Sequence, residues 1–300
     1  MAEDVATLDT VAAVPVEARR SSTRWDTLFR LLRHPSFRTG IILTALIVLA
    51  AIFVPIISGV DPDKLSMRTR FMPPGAAFLF GTDNFGRSQL ARVAYGARLS
   101  LLIGTAVVLL NAVFGTLLGA LAGYFRRLDN PLMRFNDALM AFPAILLAIA
   151  LTAVLGRSIP NVILALSIVY VPRTARIVRA SVLVIRQMEF VQAAVAAGAG
   201  HWRILRRHIL PNSMAPLIVQ LSFLFAYAVL AEATLSFLGL GAEPPTPTWG
   251  NIMAEGRQYM REAPWIITIP GGALAMTVLA LNLLGDGLRD VLDPRLKIQQ

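Results

Sequence analysis

Cysteine is absent from this chain of 300 residues. Its absence excludes disulfides, cysteine-ligated zinc and thiol nucleophiles, and it leaves the redox compartment undetermined. Histidine is scarce as well, since only His34, His201 and His208 occur, and all three lie outside the long apolar runs. A metal or catalytic centre built on histidine within those runs is therefore not expected. The G-x-x-x-x-G-K-[ST] pattern of a phosphate-binding loop is also missing, so any nucleotide chemistry has to come from another chain.

Charged residues are few, at 15% of the chain, whereas hydrophobic residues make up 56% and the mean hydropathy is +0.63. A soluble core of this size cannot hide so much apolar surface, so the sequence indicates a protein whose solvent is lipid. The formal net charge of +10 comes mainly from arginines that flank the apolar runs and are not interleaved with exposed aromatic residues. This pattern is typical of membrane flanks, and no nucleic-acid partner is expected.

Six apolar runs are long enough, or nearly so, to cross about 30 Å of hydrocarbon as helices. They occupy residues 39–58, 99–124, 138–156, 160–176, 215–240 and 264–285. The third and fourth runs are short, contain Pro143 and Pro172, and are separated by only a few residues, which predicts a tight hairpin of kinked helices. The last run is expected to end at Asp286 and Gly287. The polar tail before the first run lacks the pattern of a cleaved signal peptide, so the first run is predicted to be an uncleaved anchor.

The distribution of Lys and Arg predicts the orientation of the spans. With the N-terminus inside, 19 of these residues lie on inner segments and 9 on outer ones. This bias places both termini on the cytoplasmic side. The predicted organisation is a cytoplasmic tail at 1–38, a first helix at 39–58, a periplasmic segment at 59–98, a five-helix core at 99–285 with a cytoplasmic loop at about 187–212, and a cytoplasmic tail at 286–300. The outer segment 59–98 departs from the bias because it holds six of the basic residues.

A basic amphipathic segment, FVQAAVAAGAGHWRILRRHILPN at 190–212, lies between two of the apolar runs. Apolar residues recur at helical spacing on both sides of Gly198, which predicts one helix before this glycine and one after it. Pro211 is expected to end the second of these helices. These residues are Phe190, Ala194 and Ala197 before the glycine and Trp202, Leu205 and Ile209 after it. Two interpretations of this helix-turn-helix remain open. It is either a docking surface for another protein or a connector that lies flat on the lipid headgroups.

The order of parts in this segment, Ala-Ala, three residues, Gly and then Leu-Pro, resembles the EAA coupling loop in the membrane subunits of bacterial ABC importers. Five other motifs resemble those of one permease subunit, the second type, in the peptide and nickel importers of that family. They occur in the same order as in that subunit. They are FGTDNFGRSQLARVAYGARLS at 80–100, AGYF at 122–125, LMRFNDALMAFP at 132–143, LSFLGLGAEPPTPTWG at 235–250 and LLGDGLRDVLDPRLK at 283–297. The resemblance covers roughly residues 30–297 and departs at Ser88, where Asp is usual, and at Gln192, where Glu is usual.

The resemblance implies an all-α, polytopic membrane protein with six transmembrane helices and the permease fold of a type I ABC importer. It also implies the partners: a second, related permease subunit, two ATP-binding cassette ATPases, an extracytoplasmic substrate-binding protein and the lipid of the cytoplasmic membrane. ATP and Mg²⁺ would be bound by the ATPases, and this chain would need no cofactor of its own. The solute would be a dipeptide, a longer peptide, glutathione or, alternatively, a nickel chelate.

The resemblance also assigns the residues that would couple ATP hydrolysis to transport. They are Gln192, Ala193, Ala194, Gly198, Arg203, Leu210 and Pro211. Gln keeps the hydrogen-bonding reach of the usual Glu but not its charge, so position 192 cannot form a salt bridge to a partner. In the 80–100 motif, the glycines and Asp83 suit a tight turn, and a contact with substrate is the other possibility.

Glu232 is the one acidic residue within any predicted span. An ionised group there is costly unless it is paired or hydrated, so it is expected to face the pathway or a packed helix and not lipid. Two other function classes for a membrane protein are a channel and an intramembrane hydrolase. A channel would need a filter of repeated polar residues, and an intramembrane hydrolase would need a base inside a span; neither is present in the sequence.

Overall fold

The computed structural model describes residues 24–292, and this part of the chain is built from helices without a β-strand. The helices are α1 Arg24–Arg33, α2 Pro35–Ser58, α3 Gln89–Tyr124, α4 Arg126–Met140, α5 Ala144–Leu155, α6 Ile159–Ile185, α7 Glu189–Ala196, α8 His201–Ile204, α9 Leu210–Asn212, α10 Met214–Phe237, α11 Trp249–Gly256 and α12 Trp265–Leu292. A π-helical segment, Leu205–Ile209, joins α8 to α9, and short 3₁₀ turns occupy Met67–Thr69 and Arg257–Tyr259. The predicted all-α, polytopic fold is confirmed.

Five of these helices, α2, α3, α6, α10 and α12, are long and apolar enough to cross a membrane. The third predicted span, 138–156, differs from expectation. Residues 138–156 do not form one kinked helix, because the chain bends by 89° between α4 and α5. Pro143 lies at this break as the N-cap of α5, and the 12 residues of α5 span only about 18 Å. A sixth span exists only if the bent pair α4–α5 counts as one.

The predicted boundaries of other spans were too short. Helix α6 continues through Pro172 to Ile185, so it extends beyond the predicted end at residue 176 and includes Arg179. The helix continues because Val178 and Val182 keep a helical period and pack against α3. Two other helices also begin earlier than predicted. Helix α2 begins at Pro35, within the predicted tail at 1–38, and α3 begins at Gln89, within the predicted periplasmic segment at 59–98.

The C-terminal motif does not end the last span. Helix α12 runs through Asp286 and Gly287 to Leu292, and the predicted stop at these residues was wrong. Gly287 instead lies where α12 crosses α2, and an added Cβ there would be 2.6 Å from Cβ of Phe37. The glycine therefore permits close helix packing. Beyond Leu292, the predicted tail lies outside the described residues.

The longest contact between helices is that of α3 with α6, and glycines at four-residue spacing make it close. Gly115, Gly119 and Gly123 face α6, where an added Cβ at Gly119 would be 2.4 Å from the carbonyl oxygen of Ala175. Such small-residue rows let two helix backbones approach and gain van der Waals contact within lipid. This closely packed pair forms the centre of the fold, and residues 187–212 follow the end of α6.

We expect the Gly119→Ala variant to be less stable than the wild type, because its new methyl group overlaps backbone that cannot move as a side chain can. Overpacking of this kind costs about 1–3 kcal/mol. Gly272→Ala on α12 is the matched control, since an added Cβ there meets no atom within 4 Å. Thermal denaturation of the detergent-purified protein measures the difference. Equal midpoints for the two variants would contradict the close α3–α6 packing.

Candidate functional site

The segment of residues 187–212, here called the coupling segment, consists of two helical parts with a glycine turn between them. Helix α7 ends at Ala196, and Gly198 follows with a φ of +77°. The backbone N–H of Gly198 donates to the carbonyl of Val195, and that of Ala199 donates to Ala194. A left-handed glycine in this position closes the end of a helix at low conformational cost. The predicted helix, turn and helix are confirmed.

The apolar residues at helical spacing in the coupling segment do not share one face. Val191, Ile204, Leu205 and Ile209 are buried against the ends of α3, α6 and α10, whereas Phe190 and Trp202 are exposed. Spacing alone does not say which side of an apolar helix meets the helices beneath it, so the burial of Val191 and not of Phe190 depends on the fold.

Pro211 does not stop the second helix as predicted. The backbone N–H of Leu210 donates to the carbonyl of Leu205, five residues back, and the helical path continues through α9 to Asn212. A proline lacks the N–H for the usual bond to the residue four positions before it. The π segment that precedes Pro211 takes up this change of register, so the chain passes into α10 with only Ser213 between.

One side-chain contact of the coupling segment, and one of Arg186 just before it, hold this part of the chain to the end of α3 at Tyr124. The hydroxyl of Tyr124 lies 2.9 Å from Nδ1 of His201, and Nη1 of Arg186 donates to the carbonyl of Gly123 at 3.0 Å. With the buried apolar residues, these bonds hold the segment against the spans as one unit. The segment is thus in contact with α3, α6 and α10 at once.

The outer surface of the coupling segment contains most of the predicted site residues. Gln192, Ala193, Gly198, Arg203 and Pro211 are exposed, and Ala194 and Leu210 are half-buried. Three larger apolar side chains project beside them, with exposed fractions of 42% for Phe190, 56% for Val195 and 68% for Trp202. We call this surface, residues 190–203 on the side away from the spans, the docking face. An added Cβ at Gly198 meets no atom of the chain within 4 Å, so the space above this turn is open.

The 80–100 motif builds a buried ionic cluster at the opposite end of the molecule, and this cluster was not foreseen. Oδ2 of Asp83 accepts from Nε of Arg87 at 2.6 Å and from Nη1 of Arg92 at 2.7 Å. Both arginines also contact the carboxylate of Glu255 on α11. Asp83 is 1% exposed, and its other oxygen accepts from the backbone N–H groups of Phe85 and Arg87. This geometry is that of a structural turn, the first of the two predicted alternatives for Asp83.

The cluster joins the loop before α3, the beginning of α3 and helix α11. A signal for it was present in the sequence, since Arg87 and Arg92 stand at the entry of a span, where unpaired charge is costly. Their partner Glu255 could not be named, because it lies 163 residues further along the chain from Arg92. Trp249, at the start of α11, is also buried and donates from Nε1 to the carbonyl of Val93.

Glu232 lies at the contact of α10 with α3 and is fully buried within this chain. Its two carboxyl oxygens accept hydrogen bonds from Ser100 at 2.8 Å and from Ser236 at 2.7 Å. Of the two roles predicted for Glu232, this geometry favours helix packing over contact with the pathway. The two serines supply the polar partners that a buried carboxyl group requires.

We expect Glu232→Ala to lower the thermal stability of the purified protein by about 1–3 kcal/mol, because two serine hydroxyls lose their acceptor. Glu232→Gln should lose less, since its amide can still bond both hydroxyls. The two midpoints, measured alongside transport in proteoliposomes, separate the possibilities. Wild-type stability of the Ala variant would contradict a packing role, and an equal loss in both variants would show that the charge itself matters.

Comparison with known proteins decides between a transport permease, a channel and an intramembrane hydrolase. Residues 115–298 match the family described as binding-protein-dependent transport system inner membrane component. The chain belongs to this family. Residues 22–74 match a second family, described as the N-terminal TM domain of oligopeptide transport permease C. The chain is thus a membrane subunit of a transporter, and the channel and hydrolase alternatives are set aside.

Relatives of this permease match over almost the whole chain. A Brucella abortus protein named as a peptide transport system permease is 57% identical over 270 residues, which cover 90% of this chain and 91% of that protein. The dipeptide transport system permease of Alkalihalophilus pseudofirmus is 42% identical over 285 residues, 94% of each chain. The glutathione transport system permease of Pectobacterium atrosepticum is 40% identical over 292 residues, 96% of this chain and 97% of the other.

Proposed function

We propose that this permease is one of two related membrane subunits of an ABC importer that carries peptides across the cytoplasmic membrane. The names of its relatives support this substrate class, since they concern peptides, dipeptides and glutathione. The chain makes and breaks no bond. A separate binding protein delivers the solute, and two ATPase subunits bind ATP and Mg²⁺ and supply the energy.

The observation that carries this proposal is the geometry of the coupling segment. Its inner surface packs against three spans. Its outer surface has small and apolar side chains around Gly198, and no other element among the described residues covers them. Small residues let another protein approach the backbone closely, and exposed Phe190, Val195 and Trp202 gain from burial. ATP-driven closure of the ATPases would press on this face and shift the spans between two states that bind the solute differently.

The positions of the described ends support the proposed orientation. The N-terminal end of α2 meets the C-terminal end of α12, where Nε2 of His34 lies 3.4 Å from Oδ2 of Asp290. The same end of α12 reaches the coupling segment, since Arg289 and Asn212 line one cavity. Both described ends of the chain therefore lie on the side of the docking face. If ATPases dock there, that side is the cytoplasm.

Purification of the permease from its native membrane tests the assembly. We expect two ATPase chains and a second permease to co-purify, and isothermal calorimetry of the neighbouring binding protein to show a peptide as its ligand. Reconstituted into proteoliposomes with ATP inside, the complex should accumulate that peptide. Binding of nickel chelates but not of peptides would overturn the substrate class, and purification of the permease without ATPases would overturn the assembly.

A further inference from the structure

Helix α6 places an arginine deep within the membrane. Thr174, next to Arg173, packs against Gly115 of α3, where an added Cβ would be 2.6 Å from Cβ of Thr174. Gly115 precedes the inner end of α3 at Tyr124 by nine residues, or about 14 Å along the helix. Arg173 follows the outer end of α6 at Ile159 by fourteen residues, or about 21 Å. Both estimates put Arg173 well inside the hydrocarbon layer.

Arg173 differs from the two arginines that follow it on α6. Arg176 pairs with Asp137 of α4 at 2.6 Å, and Arg179 pairs with Asp129 at 2.5 Å. Arg173 is exposed and makes no ion pair within residues 24–292. Its contact is with an aromatic ring on the neighbouring span, since Cζ lies 5.7 Å from the ring centre of Tyr227 on α10.

An exposed guanidinium at this depth cannot be stable against lipid tails, because a charge in the membrane needs water, a counter-charge or hydrogen-bond acceptors. The groove between α6 and α10 offers space for them. Immediately towards the cytoplasm from Arg173 and Tyr227 lies a cavity of about 780 Å³, which α6, α10 and the end of α12 line. Its wall next to Arg173 is formed by Ile177 and Phe223, one helical turn below Arg173 and Tyr227.

We propose that this groove is the half of the translocation pathway contributed by the permease, and that Arg173 binds the carboxylate of the passing solute. The inference rests on the proposed function, because a peptide brings a free C-terminal carboxylate. A guanidinium is always charged and can hold a carboxylate through two parallel hydrogen bonds. The ring of Tyr227 keeps the guanidinium in place from one side by a cation–π contact and leaves its other N–H groups free for the solute.

Water accessibility tests the pathway. Because the chain has no cysteine, Arg173→Cys gives it a single thiol, which can be labelled in the assembled transporter by a charged methanethiosulfonate. Val113→Cys is the matched control. Val113 is 61% exposed, lies two residues from Gly115 and therefore has nearly the same depth, but it is on the side of α3 away from α6. We expect labelling at position 173 to be at least about tenfold faster, since only the hydrated thiolate reacts. Equal, slow labelling would overturn the proposal.

Transport of radiolabelled dialanine into proteoliposomes tests the carboxylate contact. Arg173→Gln should reduce uptake about tenfold or more, the effect of losing one charged hydrogen-bond pair. Arg173→Lys should restore only part of it, because the charge returns but the paired hydrogen bonds of the guanidinium do not. Arg157→Gln in the outer hairpin should leave uptake unchanged. Wild-type uptake by Arg173→Gln, or equal losses with Gln and Lys, would overturn the carboxylate role. If the wild-type complex carries no dialanine, the peptide assignment and the carboxylate role fall together, while the labelling still decides whether Arg173 faces the pathway.

Discussion

Gly198→Glu is expected to abolish association of the permease with the ATPases and, with it, transport. Gly198 has a φ of +77° and lies at the centre of the docking face, where an added side chain meets open space within this chain. The glutamate would therefore project into the space that a docked ATPase occupies and would bury an unpaired charge there. Steric overlap and desolvation each cost about 1–3 kcal/mol or more. Co-purification of the ATPases with variant and wild-type permease from the same membranes measures the loss.

Two controls separate docking from backbone strain. Gly198→Ala has no charge or bulk, but it retains the cost of a left-handed backbone, about 1–2 kcal/mol. Gly200→Ala has neither cost, since Gly200 has a φ of −66° and open space around it. We expect Gly200→Ala to behave as the wild type and Gly198→Ala to be intermediate. All three variants should reach the membrane in normal amounts. Full association and full transport by Gly198→Glu would show that the segment is only a connector on the membrane surface.

The second large effect is expected from Arg92→Met in the buried ionic cluster. The change leaves two carboxylates, Asp83 and Glu255, with Arg87 as their single cationic partner. Removal of one partner from a buried ion pair destabilises a protein by about 3–5 kcal/mol, because the remaining charge stays buried without compensation. The thermal midpoint of the detergent-purified permease should fall accordingly, while Arg87 still links the loop before α3 to Glu255 of α11.

The charge balance of the cluster provides the control for this prediction. In the double variant Arg92→Met with Glu255→Met, one cation and one anion remain, so a part of the lost stability should return. Arg176→Gln removes an exposed pair with Asp137 and should cost at most about 1 kcal/mol. If Arg92→Met is no more damaging than Arg176→Gln, the cluster does not hold the outer end of the fold together.

Much of the membrane architecture could be predicted because lipid imposes one rule on every span. A backbone in hydrocarbon must satisfy its own hydrogen bonds, so long apolar runs form helices whatever their neighbours are. Gly198 was predictable for a similar local reason, since a left-handed turn after a helix favours glycine. These inferences depend on residues close together in the chain, and five of the six predicted spans and the glycine turn agree with the structure.

The misplaced features have a common cause, which is contact between distant parts of the chain. A proline such as Pro143 is compatible with a mild kink or with a sharp bend. The bend of 89° between α4 and α5 depends on the helices against which they pack. Phe190 and Val191 are both apolar, and the inner ends of α3, α6 and α10 decide that Val191 is buried. Glu232 is an acidic residue that the sequence alone allows to face either the pathway or a packed helix, and the hydroxyls of Ser100 and Ser236 on either side of it favour packing.

Local composition and the order of motifs were enough to predict a lipid solvent, five of the helical spans, the resemblance to the importer family and the position of the coupling segment. The three-dimensional fold was needed to show that Asp83, Arg92 and Glu255 meet at one end of the helices and that exposed Arg173 lies beside Tyr227. The physical reason is that the stability and role of a charge in a membrane depend on the atoms within a few ångströms of it. In this chain most of those atoms belong to helices far away in the sequence.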